Sequence, residues 1–220
     1  MQAHTDHTLP LPQPVDRGFT LIELLIVISI IGVLAAVLLP QVLGAGDSAD
    51  EVATQATMTE LETACKTFNR AKGYYPPGDF RYLEKGTQAP WKDDNGRNTG
   101  IESLVCMLSQ SKKEGSDLSG LGEHFVNTDG DSNGVGMPLL GNRKDRVEIA
   151  DAWGTPLAYF SKLEMDRPQL VVPAVGEDAV QVKAKRKPDG TWFGNGKYQF
   201  LSAGKDLKFG TDDDIVWPSN

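Results

Sequence analysis

The sequence contains few of the residues from which catalytic and metal sites are usually built. Its 220 residues include two cysteines and three histidines, which excludes a disulfide-built scaffold and a zinc site with several thiolate ligands. It has no glycine-rich phosphate loop, no HExxH helix and no Cys-x-x-Cys pair, so the common motifs of nucleotide, metalloprotease and thiol redox chemistry are missing. The sequence therefore does not predict an enzyme.

Positive charge is scarce as well. The chain has 22 Lys and Arg against 30 Asp and Glu, a net charge of −8 at pH 7. This balance argues against a protein that binds the phosphate backbone of a nucleic acid, and we expect no nucleic-acid partner. The length allows one large domain or two small ones.

One long hydrophobic run is present near the N-terminus. Residues 19–39 include 17 apolar residues, and a helix of this length measures about 31 Å, which matches the hydrocarbon core of a bilayer. A secretory signal peptide is the alternative, but it has a basic start and a shorter apolar centre. Here 18 largely polar residues come first. The sequence therefore predicts a retained transmembrane helix over residues 19–40.

Glu23 interrupts this run. A carboxylate within an apolar span is costly unless it is paired or lies near the lipid headgroups. Glu23 either remains hydrated at the membrane interface or has a cationic partner. If the chain were cut after Gly18, the new α-amine of Phe19 would supply that partner in the same or a neighbouring subunit. An intermolecular pair would also set the axial register of packed helices.

The junction before the run resembles the start of type IV prepilins and type II secretion pseudopilins. The residues that carry this resemblance are 17–27, RGFTLIELLIV. It implies that residues 1–18 are a leader peptide, cleaved between Gly18 and Phe19 by prepilin peptidase, which also N-methylates Phe19. It also implies that the helix is kept and that Glu23 guides assembly of a helical filament. The leader departs from the family pattern because it lacks the usual basic character.

A second helical segment is predicted after the hydrophobic run. Pro40 should kink or locally break the helix, and residues 41–73 then predict an amphipathic helix that ends at Gly73. A coiled coil is the alternative, but the heptad pattern is not sustained. The predicted apolar face consists of Val42, Ala45, Ala49, Val52, Ala53, Ala56, Leu61, Ala64, Cys65 and Phe68.

Residues 74–220 predict a globular head, so that the whole chain is of class α+β. We expect the long N-terminal helix to pack on a small antiparallel sheet in a pilin-like fold. Residues 109–146 are polar and Gly-rich and are expected to form loops, and residues 80–146 as a whole form an insert relative to a compact pseudopilin. The predicted elements are a helix over 101–108, a turn and strand within 147–160, strands over 170–175 and 179–185, and a hairpin of 191–193 with 197–202 across Gly194-Asn195-Gly196.

The C-terminal segment 202–215 is rich in carboxylates, with four Asp among nine residues. Such carboxylates repel one another unless they are solvated or neutralised by a cation, and Ca²⁺ is bound by irregular loops of six to eight oxygen ligands. A solvated acidic tail is the alternative.

Residues 151–156 and 198–204, together with the Asp-Asp-Ile ending, resemble the major pseudopilins of type II secretion systems. This resemblance implies a structural calcium in the C-terminal loop. The implied ligands are the side chains of Asp206, Asp213 and Asp214 and the backbone carbonyls of Ala203 and Lys208.

Two further features leave alternatives open. The run Asp129-Gly130-Asp131-Ser132-Asn133-Gly134 matches the start of an EF-hand loop, but Leu140 takes the place of the bidentate Glu at position twelve, which favours a plain loop. Cys65 and Cys106 are either buried thiols or a disulfide, because we expect the head in an oxidising compartment.

These features together predict the precursor of a type II secretion pseudopilin. We expect it to be anchored in the inner membrane with its head in the periplasm and to polymerise with copies of itself to drive protein export. Its expected partners are prepilin peptidase, other pseudopilins and the secretion platform. A type IV pilin of a surface fibre for adhesion, motility or DNA uptake is the alternative, and a membrane-tethered, calcium-dependent binding or enzymatic head is a third possibility.

Overall fold

The computed structural model describes residues 19–82, 94–109, 118–137, 140–141 and 143–220. The chain divides into two compact units, Met1–Ala45 and Gly46–Asn220. Helix α1, Leu21–Lys72, contributes its first part to the N-terminal unit and its remainder to the second.

The N-terminal unit presents an apolar helical surface. Residues Leu21–Leu39 have a mean hydropathy of 2.9 and none of this segment is buried. A helix that is hydrophobic on all sides is typical of a membrane span, and this one is long and apolar enough to cross a bilayer. The backbone remains helical through Pro40, so the predicted local break is not found, and the alternative prediction of a kink stays a prediction. A proline removes one helical hydrogen bond, and the adjoining turns keep the helix continuous.

In the second unit, α1 buries one face against the head. The predicted face is wrong in its first turns, because Val52 and Ala53 are exposed while Thr54 and Thr57 are buried. The two threonines can be buried because their hydroxyls are paired. Thr57 Oγ1 donates to the carbonyl of Ala53 at 3.2 Å, and Thr54 Oγ1 accepts the amide of Ala152 at 3.0 Å. The buried apolar residues of this face are Met58, Leu61, Ala64, Cys65 and Phe68.

Helix α1 ends where the sequence predicts. Gly73 adopts a φ of +83°, a left-handed conformation that glycine tolerates at a helix end. Its amide donates to the carbonyl of Asn69 at 2.8 Å. A short 3₁₀ turn, Phe80–Tyr82, follows.

The head combines a second helix, α2, Thr99–Ser109, with short antiparallel strands. Strands β5, β8 and β9 form a three-stranded sheet in that order, and β1–β4, β2–β3 and β6–β7 form separate pairs. The strands described are β1 Phe125–Val126, β2 Ser132–Met137, β3 Arg143–Asp145, β4 Glu148–Ile149, β5 Ala158–Ser161, β6 Gln169–Val171, β7 Val180–Val182, β8 Tyr198–Ser202 and β9 Ile215–Trp217.

Two features of the head differ from prediction. The hairpin of 191–193 with 197–202 is wrong, because β8 pairs with β5 and β9. Residues Phe193–Gly196 form a short helical turn with φ of +64° at Gly194 and +53° at Asn195. The predicted turn is therefore present, but it does not join the two strands of the predicted hairpin. The polar insert also contains β1, β2 and β3 where loops were expected.

The central sheet separates two hydrophobic clusters. Successive side chains of a strand point to opposite faces, so Tyr159 and Phe200 join the larger cluster, which contains α1 and α2 residues. Phe160 and Leu201 join the smaller cluster on the other face, together with Val171 and other residues. The rings of Tyr159 and Phe200 lie 5.1 Å apart between centroids. The fold is therefore α+β, with a long helix packed on a small antiparallel sheet, as predicted.

Candidate functional site

The start of α1 shows how a carboxylate is accommodated in an apolar helix. Glu23 Oε2 accepts hydrogen bonds from the backbone amide of Thr20 at 2.9 Å and from its hydroxyl at 2.7 Å. The Thr20 hydroxyl accepts the amide of Glu23 at 3.3 Å. This reciprocal pairing is a capping box. Glu23 therefore lies in the first helical turn, where the helix dipole favours a negative charge.

The polar side chain of Ser29, further along the apolar segment, is also paired within the helix. The hydroxyl of Ser29 donates to the carbonyl of Leu25 at 2.7 Å, which satisfies this polar side chain within its own helix. Phe19, at the predicted cleavage junction, is 82% exposed. With its polar side chains paired internally, the helix fits an apolar environment, which requires backbone and side-chain polar groups to be satisfied within the segment.

The C-terminal loop, residues 203–214, connects the neighbouring strands β8 and β9. Its two ends are fixed by the pairing of Ser202 with Ile215. Gly204 has a φ of +68°, and a Cβ placed on it would lie 2.3 Å from the carbonyl oxygen of Asp213. The two arms of the loop therefore approach so closely that glycine is required at this position.

The start of this loop is connected by hydrogen bonds to the turn that follows β4. Asp151 Oδ1 accepts the amides of Trp153 at 3.1 Å and Thr155 at 2.9 Å. Its Oδ2 accepts the hydroxyl of Ser202 at 2.6 Å, and that hydroxyl oxygen accepts the amide of Gly204 at 3.0 Å. Burial raises the pKa of Asp151 despite these bonds. The two sequence stretches that carried the resemblance therefore meet in space.

The structure gives each predicted calcium-binding carboxylate a partner within the protein. Asp213 accepts the amide of Asp206 at 2.9 Å and the hydroxyl of Thr211 at 2.6 Å, and these bonds lower the pKa of Asp213. Asp206 accepts the amide of Lys208 at 2.8 Å. The Thr211 hydroxyl also lies 3.0 Å from the carbonyl of Lys208, and its single proton can serve only one acceptor at a time.

Asp214 is the most deeply placed of these carboxylates. Its side chain is fully buried, its Oδ2 accepts the amide of Gly210 at 2.8 Å, and the ammonium of Lys185 lies 2.5 Å from the same oxygen. Its Oδ1 is buried without a hydrogen-bond partner. Nothing local in the sequence connected Lys185, at the end of a predicted strand, with this loop. The loop borders a cavity of about 530 Å³ lined by Ser48, Glu51, Trp153, Lys205, Asp212, Asp213, Asp214 and Ile215.

The oxygen donors of this loop suit a hard cation such as Ca²⁺, and the partnerless Asp214 Oδ1 is an atom that such a cation would satisfy. The carbonyl of Ala203 belongs to a fully buried residue, and the carbonyl of Lys208 faces Thr211. The carboxylate groups whose ligand atoms lie within 4.8 Å of one another, among the residues described, are elsewhere in the head. The calcium prediction therefore stays a prediction.

The two cysteines are buried thiols, and no bridge joins them in the structure. Burial, with a further contribution from the charge of Glu62, raises the pKa of the Cys65 thiol. Glu62 itself accepts hydrogen bonds from Tyr198 at 3.1 Å and from the indole of Trp217 at 2.9 Å. This carboxylate, rather than a disulfide, ties α1 to the strands of the central sheet.

Comparison with known proteins gives a consistent result. The family described as the prokaryotic N-terminal methylation motif matches residues 14–39. The type II secretion system core protein G of Escherichia coli (strain K12) is 32% identical over 93 residues, which cover 42% of this chain and 63% of the relative. The core protein G of Klebsiella pneumoniae is 33% identical over 95 residues, covering 43% and 67%.

A pilin also shares similarity with this chain. The type IV major pilin protein PilA of Myxococcus xanthus (strain DK1622) is 40% identical over 62 residues, which cover 28% of each chain. No solved structure matches. The E. coli match spans less than two-thirds of that relative, whereas the K. pneumoniae match, at 33% identity, reaches that share. With an N-terminal methylation motif and this extended similarity, the chain belongs to the family of the type II secretion system core protein G.

Proposed function

We propose that this chain is a structural subunit of a type II secretion pseudopilus that polymerises through its N-terminal helix to drive protein export. The observation that carries the proposal is a membrane-length helix, apolar on all sides, whose one acidic residue lies in its first turn. Relatives named core protein G of type II secretion systems support the same conclusion. The role is structural, and assembly rather than catalysis is the mechanism.

Assembly would use the same apolar surface twice. The side chains of Leu21–Leu39 are exposed in the single subunit, so lipid would cover them before assembly and neighbouring helices afterwards. Cleavage after Gly18 would create a charged amine on Phe19, next to the Thr20–Glu23 capping box. The amine of a neighbouring subunit would then meet a carboxylate held in a fixed orientation, which would set the register between helices.

The localisation and partners follow from this role. The apolar helix would anchor the subunit in the inner membrane with its head in the periplasm. Prepilin peptidase would process the leader and methylate Phe19, and other pseudopilins and the secretion platform would be the assembly partners.

The test compares Glu23→Gln with Ser29→Ala in the native host. Both changes lie in the apolar helix, but the Ser29 hydroxyl bonds only its own helix, so Ser29→Ala is a matched control. We expect the Glu23→Gln chain to be cleaved and inserted in the membrane normally. We expect chemical cross-linking between neighbouring subunits of the filament, and protein export, to be lost. Normal export by a processed Glu23→Gln chain would refute the assembly role. Loss of surface fibres with intact secretion after deletion of the chain would instead favour the type IV pilin function suggested by the similarity to PilA.

We also propose that the C-terminal loop binds Ca²⁺ through Asp206, Asp213 and Asp214, with the carbonyls of Ala203 and Lys208. The buried, partnerless Oδ1 of Asp214 supports this site, and the ion would offset the mutual repulsion of the carboxylates. Binding to the folded state alone raises the melting temperature by mass action.

The measurement is the melting temperature of the full chain in detergent, with calcium and with chelator. We expect calcium to raise it, and the double variant Asp213→Asn, Asp214→Asn to lose the response. Asp212→Asn, which alters a neighbouring carboxylate outside the proposed ligands, should keep it. An equal response in the wild type and the double variant would contradict the site.

A further inference from the structure

A second group of carboxylates lies inside the head, in the region of the insert. Its members come from segments far apart in the sequence and converge around a buried arginine, Arg146, which directly follows β3. One acidic residue precedes α2, one belongs to α2, two lie between β1 and β2, and one belongs to β4: Asp94, Glu102, Asp129, Asp131 and Glu148.

Arg146 neutralises one side of this group. Its Nη1 lies 2.8 Å from Asp131 Oδ2, 3.3 Å from Asp94 Oδ1 and 3.9 Å from Glu102 Oε2, and its side chain is fully buried. The guanidinium also lies over the ring of Phe80, at 4.7 Å from the centroid. One positive charge therefore serves three carboxylates, which share a set of oxygens within 4.8 Å of one another.

Among the residues described, the other side has no cation of its own. Glu102, Asp129 and Glu148 also offer one oxygen each within 4.8 Å of one another, and none of the described ion pairs involves Asp129 or Glu148. Neutral donors hold these two in place instead. Glu148 accepts the amide of Asn98 at 2.6 Å, and Asp129 accepts that of Asn95 at 2.9 Å.

Glu102 connects the two sides and is the least satisfied of the five. Its side chain is fully buried, and neither of its oxygens has a hydrogen-bond partner among the residues described. A buried carboxylate without donors is costly, and a cation held between it and its neighbours would remove that cost.

We propose that Glu102, Asp129 and Glu148 form a second divalent-cation site, distinct from the C-terminal loop, which takes Ca²⁺. The ligands are carboxylate oxygens, which hard cations prefer, and Ca²⁺ accepts the irregular geometry of ligands from separate elements. Asp129 is half-buried, so the site reaches the surface there and water can complete the coordination. The ion would tie α2, the β1–β2 loop and β4 together.

The arrangement also explains the EF-hand-like start at Asp129. In an EF-hand, the first and third loop positions bind the same ion. Here Asp131, at the third position, forms an ion pair with Arg146 at 2.8 Å. Leu140 occupies position twelve, where an EF-hand has a Glu ligand, and Glu102 and Glu148 would supply carboxylates in its place. The site is therefore assembled from three elements instead of one continuous loop.

The test counts calcium ions bound per full chain in detergent, by equilibrium dialysis after chelator treatment. We expect two ions in the wild type and one in the double variant Asp213→Asn, Asp214→Asn, which lacks the C-terminal site. In that double variant, adding Asp129→Asn should weaken the remaining ion by at least about tenfold, because ligand charge sets calcium affinity. Adding Asp145→Asn instead, which changes an exposed residue on β3, should leave the affinity for the remaining ion unchanged.

Each outcome decides between the two sites. A wild type that binds one ion, lost in the double variant, would overturn the second site and leave the C-terminal one intact. A wild type that binds one ion, retained in the double variant, would overturn the C-terminal site and leave the second site intact. Glu148→Gln probes the second site from β4, and circular dichroism in chelator shows whether each variant is folded. Unchanged affinity in folded Asp129→Asn and Glu148→Gln chains would overturn the assignment of these ligands.

Discussion

Replacement of Arg146 tests the charge arrangement of the head most directly. Among the residues described, Arg146 is the largest fully buried side chain, and Arg146→Met keeps a long apolar stem while it removes the charge and the donors. Asp131 at 2.8 Å and Asp94 at 3.3 Å would then lack their cation. Removing one partner of a buried ion pair costs about 3–5 kcal/mol, because the remaining charge stays buried and uncompensated.

The assay is thermal unfolding of the full chain in detergent with chelator, so that bound calcium does not compensate for the lost charge. For a chain of this size, 1 kcal/mol corresponds to roughly 2–4 °C, so the melting temperature should fall by roughly 6–20 °C. Arg81→Met is the matched control. Arg81 pairs with Asp79, but its side chain is 70% exposed, and such surface pairs contribute about 0–1 kcal/mol.

The comparison has a clear refuting result. If Arg146→Met loses no more stability than Arg81→Met, then the buried carboxylates do not depend on the arginine for their charge balance. The interpretation of Arg146 as the cation of one side of the cluster would then be wrong.

Two further pairs of substitutions test the packing of α1 and the shape of the C-terminal loop. Leu61→Ala should lower the free energy of unfolding by about 2–5 kcal/mol because Leu61 is fully buried. Val52→Ala should change it by no more than about 0.5 kcal/mol, because the Val52 side chain is 66% exposed. Similar losses of unfolding free energy for the two variants, measured in urea, would contradict the assigned helix face. Gly204→Ala should destabilise the chain and weaken calcium binding, because its Cβ would meet the carbonyl of Asp213 at 2.3 Å. At Gly210, which has a φ of +94°, an added Cβ has no neighbour within contact distance, so Gly210→Ala should cost only the left-handed backbone strain of roughly 1–2 kcal/mol. Equal losses of stability in Gly204→Ala and Gly210→Ala would argue against the close approach of the two arms at Gly204.

The sequence predicted well those features that depend on neighbouring residues. The apolar run, the helix end at Gly73 and helix α2 each follow from a local pattern, and the structure contains all three. The capping box was equally readable, because Thr20 and Glu23 have its three-residue spacing. The sequence predicted that Glu23 is hydrated or paired with an amine, whereas the structure shows a carboxylate that accepts hydrogen bonds from Thr20 at the start of its own helix.

Features that depend on distant residues could not be predicted in the same way. Charged residues are expected at the surface, so nothing marked Arg146 and Glu102 as fully buried or placed them together. Lys185 follows β7, which belongs to a different strand pair from β8 and β9. Its backbone exchanges hydrogen bonds with the side chain of Gln199 on β8, at 2.6 and 3.0 Å, and its ammonium then reaches Asp214, a contact that no sequence spacing encodes. The face of α1 was misjudged because buried threonines look polar in a sequence, although Thr54 and Thr57 pair their hydroxyls.

The bonds around Asp151 explain how the C-terminal loop is positioned. The hydroxyl of Thr54 on α1 accepts a hydrogen bond from the amide of Ala152, in the turn after β4, at 3.0 Å. The neighbouring Asp151 accepts the hydroxyl of Ser202 at 2.6 Å, and that hydroxyl oxygen accepts the amide of Gly204 at 3.0 Å. This series fixes the first arm of the loop relative to α1 with protein groups alone. The second arm, residues 206–214, carries all four aspartates of the loop. Bonds from Gly210 and Lys185 to Asp214 and from Thr211 to Asp213 hold this arm, so a cation at the loop would act on the buried oxygen that these bonds leave without a partner, Oδ1 of Asp214.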